Sequence, residues 1–313
     1  MNKVTEIINN MEKIMVGKRT VVERITIALL TGGHVLIEDI PGVGKTQCVG
    51  SLAKSVDGSY KRIQFTPDVM ASDITGFTMY NPSVGKFMYR EGAAHCNFLL
   101  GDEINRASAK TQSSLLEVME ERQITVDGVT RKVPEPFMVL ATQNPIESKG
   151  TNKLPEAQMD RFLFKLSIGY PNKSGEKEIL NRFGGENPLK TLTHVLTTEE
   201  VLSLQKEVED VKVSDEIKDL IIEIVSYTRN TQKLVLGVSP RGSLALLKAA
   251  KAVAYMHDRN YVIPEDIVEI AADVLSHRII LSSGARVKGV KASDIVSECV
   301  NMALKGTSKV LNA

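Results

Sequence analysis

Glu38-Asp39-Ile40-Pro41-Gly42-Val43-Gly44-Lys45-Thr46 follows the apolar run Val35-Leu36-Ile37, and how this stretch is read decides the fold. A strand that runs into a glycine-rich loop ending in Gly-Lys-Thr, with a helical pattern after it, is suited to holding phosphate. The glycines let backbone N–H groups turn toward phosphate oxygens, and the helix N-terminus adds partial positive charge. Lys45 then reaches the β- and γ-phosphates, and the Thr46 hydroxyl ligates Mg²⁺. The general pattern places a glycine six residues before the lysine, where this chain has Asp39. By itself Gly-Lys-Thr is also a chance match in a loop. The strand before it and the acidic pair downstream select the phosphate reading.

That acidic pair closes Asn97-Phe98-Leu99-Leu100-Gly101-Asp102-Glu103. An apolar strand ending in two carboxylates is costly unless a cation sits there. Asp102 is expected to hold the hydrated Mg²⁺, and Glu103 to polarise the water that attacks the γ-phosphate. A strand that simply exits into solvent is the bland alternative. A further strand, Phe137 to Ala141, runs into Thr142-Gln143-Asn144-Pro145. Ligands of open α/β sheets bind at the carboxyl ends of strands, so Asn144 is a candidate to bond the γ-phosphate or orient the attacking water. Its alternative role is a turn-forming Asn before Pro.

Up to Pro171, apolar runs alternate with helical patterns. Val35–Ile37, Arg62–Phe65, Phe98–Leu100, Phe137–Ala141 and Phe162–Ile168 read as five strands of a parallel sheet covered on both faces. Two segments interrupt the alternation. Asp127-Gly128 between Gln123–Val126 and Val129–Val133 is a strong hairpin signal, and a second hairpin is expected between Gly76 and Gly92. After Pro171 the chain turns polar, with Gly184-Gly185, and from Thr197 onward it reads as helical. Thr197 and Glu200 have capping-box spacing, Ile217, Leu220, Ile221, Ile224 and Val225 form a helical stripe, and Ser239-Pro240 starts a helix. The expected division is a core over 1–171, a linker over 172–195 and a helical lid over 196–313.

The bulk numbers exclude several classes. Lys and Arg total 39 against 38 Asp and Glu, so no global field draws the chain to nucleic acid or to an anionic membrane. Trp is absent and aromatics are 5%, which disfavours a stacking platform for single strands. Cys48, Cys96 and Cys299 have neither disulfide nor zinc spacing. The five histidines have no metal spacing and read as structural. There is no signal-peptide run and no uncharged stretch long enough to span a bilayer, so a cytoplasmic protein without membrane insertion is expected.

Taken together, these segments resemble the AAA+ ATPases, and within them the MoxR family. The matching stretches are His34–Asp39 running into the phosphate loop, Gly101-Asp102-Glu103-Ile104-Asn105-Arg106-Ala107, Ala141-Thr142-Gln143-Asn144-Pro145-Ile146-Glu147, Leu154-Pro155-Glu156-Ala157-Gln158-Met159-Asp160-Arg161-Phe162, and Ser239-Pro240-Arg241. They cover nearly the whole chain in the family's order. Asp39 in place of the first glycine is usual for MoxR proteins. The resemblance implies a P-loop AAA+ core of five parallel strands between helices, with two β-hairpin inserts, followed by a small all-α lid. It makes Asn144 the sensor 1 residue, Arg161 an arginine finger directed at a neighbour's γ-phosphate, and Arg241 the sensor 2 residue. The Gly76–Gly92 segment corresponds to the helix-2 insert and the Asp127-Gly128 hairpin to the pre-sensor-1 hairpin. Val16-Gly17 corresponds to the segment that packs against adenine.

The expected catalytic set is therefore Glu103, Asn144, Arg161 and Arg241. The ATP-contacting set is Val16, Gly17, Pro41, Gly42, Val43, Gly44, Lys45, Thr46 and Gln47, with Thr46 and Asp102 on Mg²⁺. The resemblance implies a homo-oligomeric ring, hexameric as in similar proteins, that remodels or matures partner proteins, with a von Willebrand factor A domain protein as partner. Two rival readings are a DNA-acting AAA+ motor and a nucleotide-gated scaffold with slow turnover. The hairpins carry few basic residues (Lys86, Arg90, Arg131, Lys132), which argues against the first, and the intact Glu103 argues against the second.

Overall fold

The computed structural model describes residues 3–145 and 152–310; Ile146 and Glu147, the end of one of the family-like stretches, lie outside the described residues. The chain begins with helices α1 (Lys3–Glu12) and α2 (Arg19–Leu30), strand β1 (Val35–Glu38) and helix α3 (Lys45–Ser55). Strand β2 (Tyr60–Gln64), helix α4 (Ala71–Thr75) and the hairpin β3 (Phe77–Asn81) and β4 (Lys86–Arg90) follow. Next come β5 (Phe98–Asp102), α5 (Ala109–Glu121), the hairpin β6 (Gln123–Val126) and β7 (Val129–Lys132), β8 (Met138–Gln143), α6 (Glu156–Met159) and β9 (Phe164–Leu166). The remainder is α7 (Lys173–Phe183), α8 (Thr198–Glu209), α9 (Asp215–Asn230), β10 (Leu234–Leu236), α10 (Pro240–Met256), α11 (Pro264–Leu275), β11 (Ile280–Leu281), α12 (Ser283–Val287) and α13 (Ala292–Val310).

The main sheet has the order β2-β5-β8-β1-β9, and every pairing in it is parallel. The central strands β5, β8 and β1 are apolar until their carboxyl ends because both faces are buried, whereas the edge strand β2 is polar and partly exposed. Side chains alternate between two cores, as a pleated strand requires. Val35, Ile37, Leu100 and Leu140 enter a core shared with α1, α2, α3 and the C-terminal helices. Leu36, Leu99, Val139 and Ala141 enter a second core with Phe65, Leu115 and Phe137. The five strands and both hairpins fall where the sequence places them. β9 is shorter than the expected Phe162–Ile168 run for a local reason. The N–H groups of Ile168 and Gly169 donate to the Asp39 carboxylate instead of a ladder neighbour.

The hairpins stand outside the sheet. In the β6–β7 turn, Asp127 and Gly128 both have positive φ, 52° and 75°, as a type I′ turn demands. The β3–β4 hairpin is pinched at its base: a Cβ at Gly76 would overlap the Arg90 carbonyl oxygen, and one at Gly92 the Ile74 carbonyl oxygen. The two hairpins touch where the Arg131 guanidinium lies 3.9 Å from the centre of the Tyr89 ring.

The lid is helical with one addition. Thr197 and Glu200 form a reciprocal capping box, and the α9 stripe is buried as expected. Ser239 caps α10 by accepting from the Gly242 N–H. Ile263 has no capping oxygen, and Asp266 compensates by accepting the Ile263 N–H at 2.9 Å. The expected all-α lid also contains the antiparallel pair β10–β11. Strands of three and two residues are too short to carry a period-2 signal. No helix among the described residues is long and apolar enough to cross a membrane.

Candidate active site

Because the strands are parallel, the loops after β1, β5 and β8 open at one end of the sheet. They enclose a cavity of about 420 Å³, lined by the phosphate loop together with Asp102, Glu103 and Asn144. Pro41, Gly42, Gly44, Lys45, Thr46 and Gln47 line it, while Val43 turns toward the core. Gly42 and Gly44 have φ of 87° and 93°, and space is open where a Cβ would point. The loop thereby keeps its backbone close to whatever fills the cavity. Gly44 precedes α3 without any side-chain cap, so the first N–H groups of the helix face the cavity unmet by a cap. Burial pulls the Lys45 ammonium below its ordinary pKa, opposed by Asp102, Asp39 and Glu103, and its Nζ donates to the Asp39 carbonyl at 2.7 Å.

Asp39 explains why the general glycine is dispensable here. Its Oδ2 accepts the N–H of Ile168 at 2.6 Å and of Gly169 at 2.7 Å, and the Ser167 hydroxyl at 3.1 Å. Its Oδ1 accepts the Ile40 N–H at 3.0 Å. One buried carboxylate thus ties the start of the phosphate loop to the end of β9. Val16-Gly17 lies beside the same segment, in the turn between α1 and α2. Gly17 has φ of 67°, and the adjacent Lys18 donates to the Ile168 and Tyr170 carbonyls at 2.6 and 2.9 Å. Neither Val16 nor Gly17 lines the phosphate cavity.

The acidic pair is held by partners that the sequence reading did not single out. Thr142, at the end of β8, donates its hydroxyl to Asp102 Oδ1 at 2.6 Å and accepts the Glu103 N–H at 2.9 Å. That second bond steadies Glu103 at φ 57°, a left-handed conformation that costs a non-glycine residue about 1 kcal/mol or more. Arg62 donates to Asp102 Oδ2 at 2.8 Å, and Gln64 donates to Glu103 Oε2 at 3.0 Å. Arg62 in the middle of β2, Gln64 at its end and Thr142 near the end of β8 stand 39 or 40 residues from their partners, so no local pattern marks them. A Mg²⁺ ion fits this donor set. Among the described residues no three His, Cys, Asp or Glu side chains gather as a metal cage, and Mg²⁺ at a phosphate site needs only one or two protein oxygens besides phosphate and water. Thr46 and Asp102 each bring an oxygen-bearing side chain to this cavity, and such an ion would supply charge neutralisation on the phosphates when bound.

Arg161 and Arg241 lie elsewhere. They line a cavity of about 480 Å³ between core and lid that shares no lining residue with the phosphate cavity. Arg161 comes just before β9, level with the amino end of β1, since Phe164 pairs with Val35. The phosphate loop leaves the carboxyl end. The four residues of β1, about 13 Å at about 3.3 Å per residue, separate the two. Asp160 and Arg161 do not form the ordinary surface ion pair that their adjacency suggests. Asp160 binds Arg278 and accepts the Ser239 hydroxyl at 2.8 Å, whereas Arg161 pairs with Glu120 at 3.1 Å. Arg241, placed against the dipole of α10, also finds its anion in Glu120.

His34 and His277 are structural in this geometry. His34 donates Nε2–H to the Met119 carbonyl and accepts the Val139 N–H at Nδ1, so it is the neutral tautomer. Burial, aided by Arg122, lowers its pKa to about 3. His277 donates to the Phe162 carbonyl, and burial lowers its pKa likewise to about 3. All three cysteines are buried free thiols.

Known proteins agree with this architecture. The profile of the AAA_3 family, the ATPase family associated with various cellular activities (AAA), matches residues 34–164, and the AAA lid domain profile matches residues 226–299. The chain is 50% identical to YeaC of Bacillus subtilis over 96% of its own length and 93% of YeaC. It is 44% identical to the chaperone MoxR1 of Mycobacterium tuberculosis over 88% of its length and 74% of MoxR1. A crystal structure of a protein from Cytophaga hutchinsonii superposes with a TM-score of 0.90 at 39% identity, over 96% of this chain and 94% of that one. The glycine-lined loop, the carboxylate pair facing it and the helical lid therefore belong to an ATPase, and the chain is a member of the MoxR family of AAA+ ATPases.

Proposed function

We propose that this ATPase forms a ring, hexameric as in similar proteins, in which Mg²⁺-dependent hydrolysis is completed by a neighbouring subunit and drives remodelling or maturation of protein clients. The placement of Arg161 carries this reading. It stands at the opposite end of the sheet from Lys45, too far to serve its own nucleotide, with its side chain 31% exposed at the open cavity between core and lid. In this scheme Lys45 and the loop N–H groups hold the phosphates, and Thr46 and Asp102 hold Mg²⁺. Glu103 takes the proton side of water attack and Asn144 orients the water. Arg161 and Arg241 of the neighbour neutralise the charge that develops on the transferred phosphoryl group, an effect worth about 10³-fold or more. Residues 1–171 act as the nucleotide-binding unit, 172–195 as linker and 196–313 as lid.

The β3–β4 hairpin supports a protein client over a nucleic acid. Phe77, Met79, Tyr80, Val84, Phe87 and Met88 are all exposed on it, Phe87 at 74%. Apolar side chains held out in water suit a polypeptide surface, not a phosphate backbone. The relative MoxR1 is named a chaperone, and partners with a von Willebrand factor A domain are the expected class. Three buried, unpaired thiols support work in the reducing cytoplasm.

The test mixes Glu103→Gln with Arg161→Ala subunits, each inactive alone. Recovered hydrolysis is expected, because mixed rings contain interfaces with one intact half from each parent. No recovery refutes the shared site. Stimulation of hydrolysis by DNA, with no capture of protein by ATP-bound Glu103→Gln, would favour a DNA-acting motor.

A further inference from the structure

The cavity between core and lid contains four arginines, Arg122, Arg161, Arg241 and Arg278. Two are committed within the fold: Arg122 donates to the Phe137 and Gly32 carbonyl oxygens, and Arg278 to Asp160 and the Phe162 carbonyl. The other two converge on one carboxylate from different domains. Arg161 of the core pairs with Glu120 Oε2 at 3.1 Å, and Arg241 of the lid pairs with Glu120 Oε1. Arg161 has a second tether, donating to the Leu116 carbonyl one turn earlier on α5 at 2.8 Å. Two guanidinium groups at this spacing repel each other, and Glu120 offsets that repulsion with one oxygen for each. The lid reaches this position because the Ser239 hydroxyl, two residues before Arg241, donates to Asp160, the residue before Arg161. Stability does not account for the arrangement. The three side chains are 31% to 45% exposed, and ion pairs in that setting contribute about 0–1 kcal/mol.

We propose that Glu120 is a positioning residue of the shared active site: it holds Arg161 and Arg241 at one spacing, so that both meet the neighbour's phosphates together when the lid is docked on the core. The proposal rests on the shared-site reading above and adds that lid position is sensed by the next subunit's nucleotide through one carboxylate. The residue touches neither nucleotide nor water in this scheme and acts only through the two arginines.

The experiment compares full-length Glu120→Ala and Glu120→Gln with the parent protein. Turnover at saturating ATP is expected to fall about ten- to a hundredfold, the size of a misplacement effect. Affinity for a fluorescent ATP analogue with Mg²⁺ and the unfolding midpoint should not change. The glutamine variant should not restore turnover, because its amide N–H₂ turns a donor toward one of the guanidinium groups. Mixing supplies the readout that a merely structural role would not give. Glu120→Ala should recover activity with Glu103→Gln subunits and fail to recover it with Arg161→Ala subunits. Parental turnover in both Glu120 variants, or recovery with Arg161→Ala, overturns the proposal. If the Glu103→Gln and Arg161→Ala mixture itself recovers nothing, the shared site fails and Glu120 with it. If that mixture recovers while the Glu120 variants keep parental turnover, only the role of Glu120 falls.

Discussion

Replacing Asp39 by glycine converts the loop to the general phosphate-binding pattern, yet it is expected to destabilise the protein. The Asp39 carboxylate accepts the Ile168 and Gly169 N–H groups, the Ser167 hydroxyl and the Ile40 N–H. Its φ is not positive, so nothing in the backbone asks for glycine. Without the carboxylate, the buried Ile168 N–H loses its acceptor and the Gly169 N–H is left to water. An unsatisfied buried donor costs about 1–3 kcal/mol, and added backbone freedom costs about 0.5–1 kcal/mol. Together these predict a loss of about 1.5–4 kcal/mol. Urea denaturation followed by far-UV circular dichroism measures it as a lower midpoint at unchanged slope. Asp39→Asn, which keeps an acceptor oxygen, should lose clearly less. A loss below about 1 kcal/mol for Asp39→Gly would refute the argument that this carboxylate ties the loop to β9.

Glu103→Gln should lower ATP turnover at least about 10²-fold while leaving nucleotide binding intact, since it removes the base and keeps the shape; a parental rate would revive the scaffold reading. Thr142→Val removes the hydroxyl that bonds both Asp102 and the Glu103 N–H, and steady-state kinetics should show turnover falling about ten- to a hundredfold. His34 and His277 have folded pKa values of about 3, below the ordinary 6.5, so the unfolded chain binds more protons than the folded one between those values. Stability is therefore complete above pH 6.5 and falls as pH drops toward 3, by about 2 kcal/mol per histidine at pH 5. Urea midpoints taken across this range should flatten when His277 is replaced by Gln.

What could be read from the sequence was mostly what lies contiguous in it. The phosphate loop, the Asp102-Glu103 step and the Asp127-Gly128 turn each put their chemistry in consecutive residues, and each forms where it was placed. The central strands were legible because burial on both faces makes them apolar up to their carboxyl ends. The partners that hold the site were not legible. Thr142, Arg62, Gln64 and Glu120 meet their targets only after the sheet and lid assemble, and a lone Thr or Glu has no periodic signature. The short β10–β11 pair and the early end of β9 were missed for the same reason, because a few residues are decided by tertiary partners and not by pattern. Adjacency is no guide either: Asp160 and Arg161 are neighbours that pair elsewhere, Asp160 with Arg278 and Arg161 with Glu120.

The pinched base of the β3–β4 hairpin bears on how this chain can change. Gly76 and Gly92 fix where the ribbon leaves the body, since neither position has room for a side chain, while Phe87 and its apolar neighbours stand clear of the sheet. In the proposed scheme the grip and the engine are thus separate inheritances. Substitutions at the ribbon's tip would retune which surfaces are held without disturbing a single register of the five parallel strands. One motor would then serve many clients, and its lineage would diversify at the fingertips while the phosphate loop stays as it is.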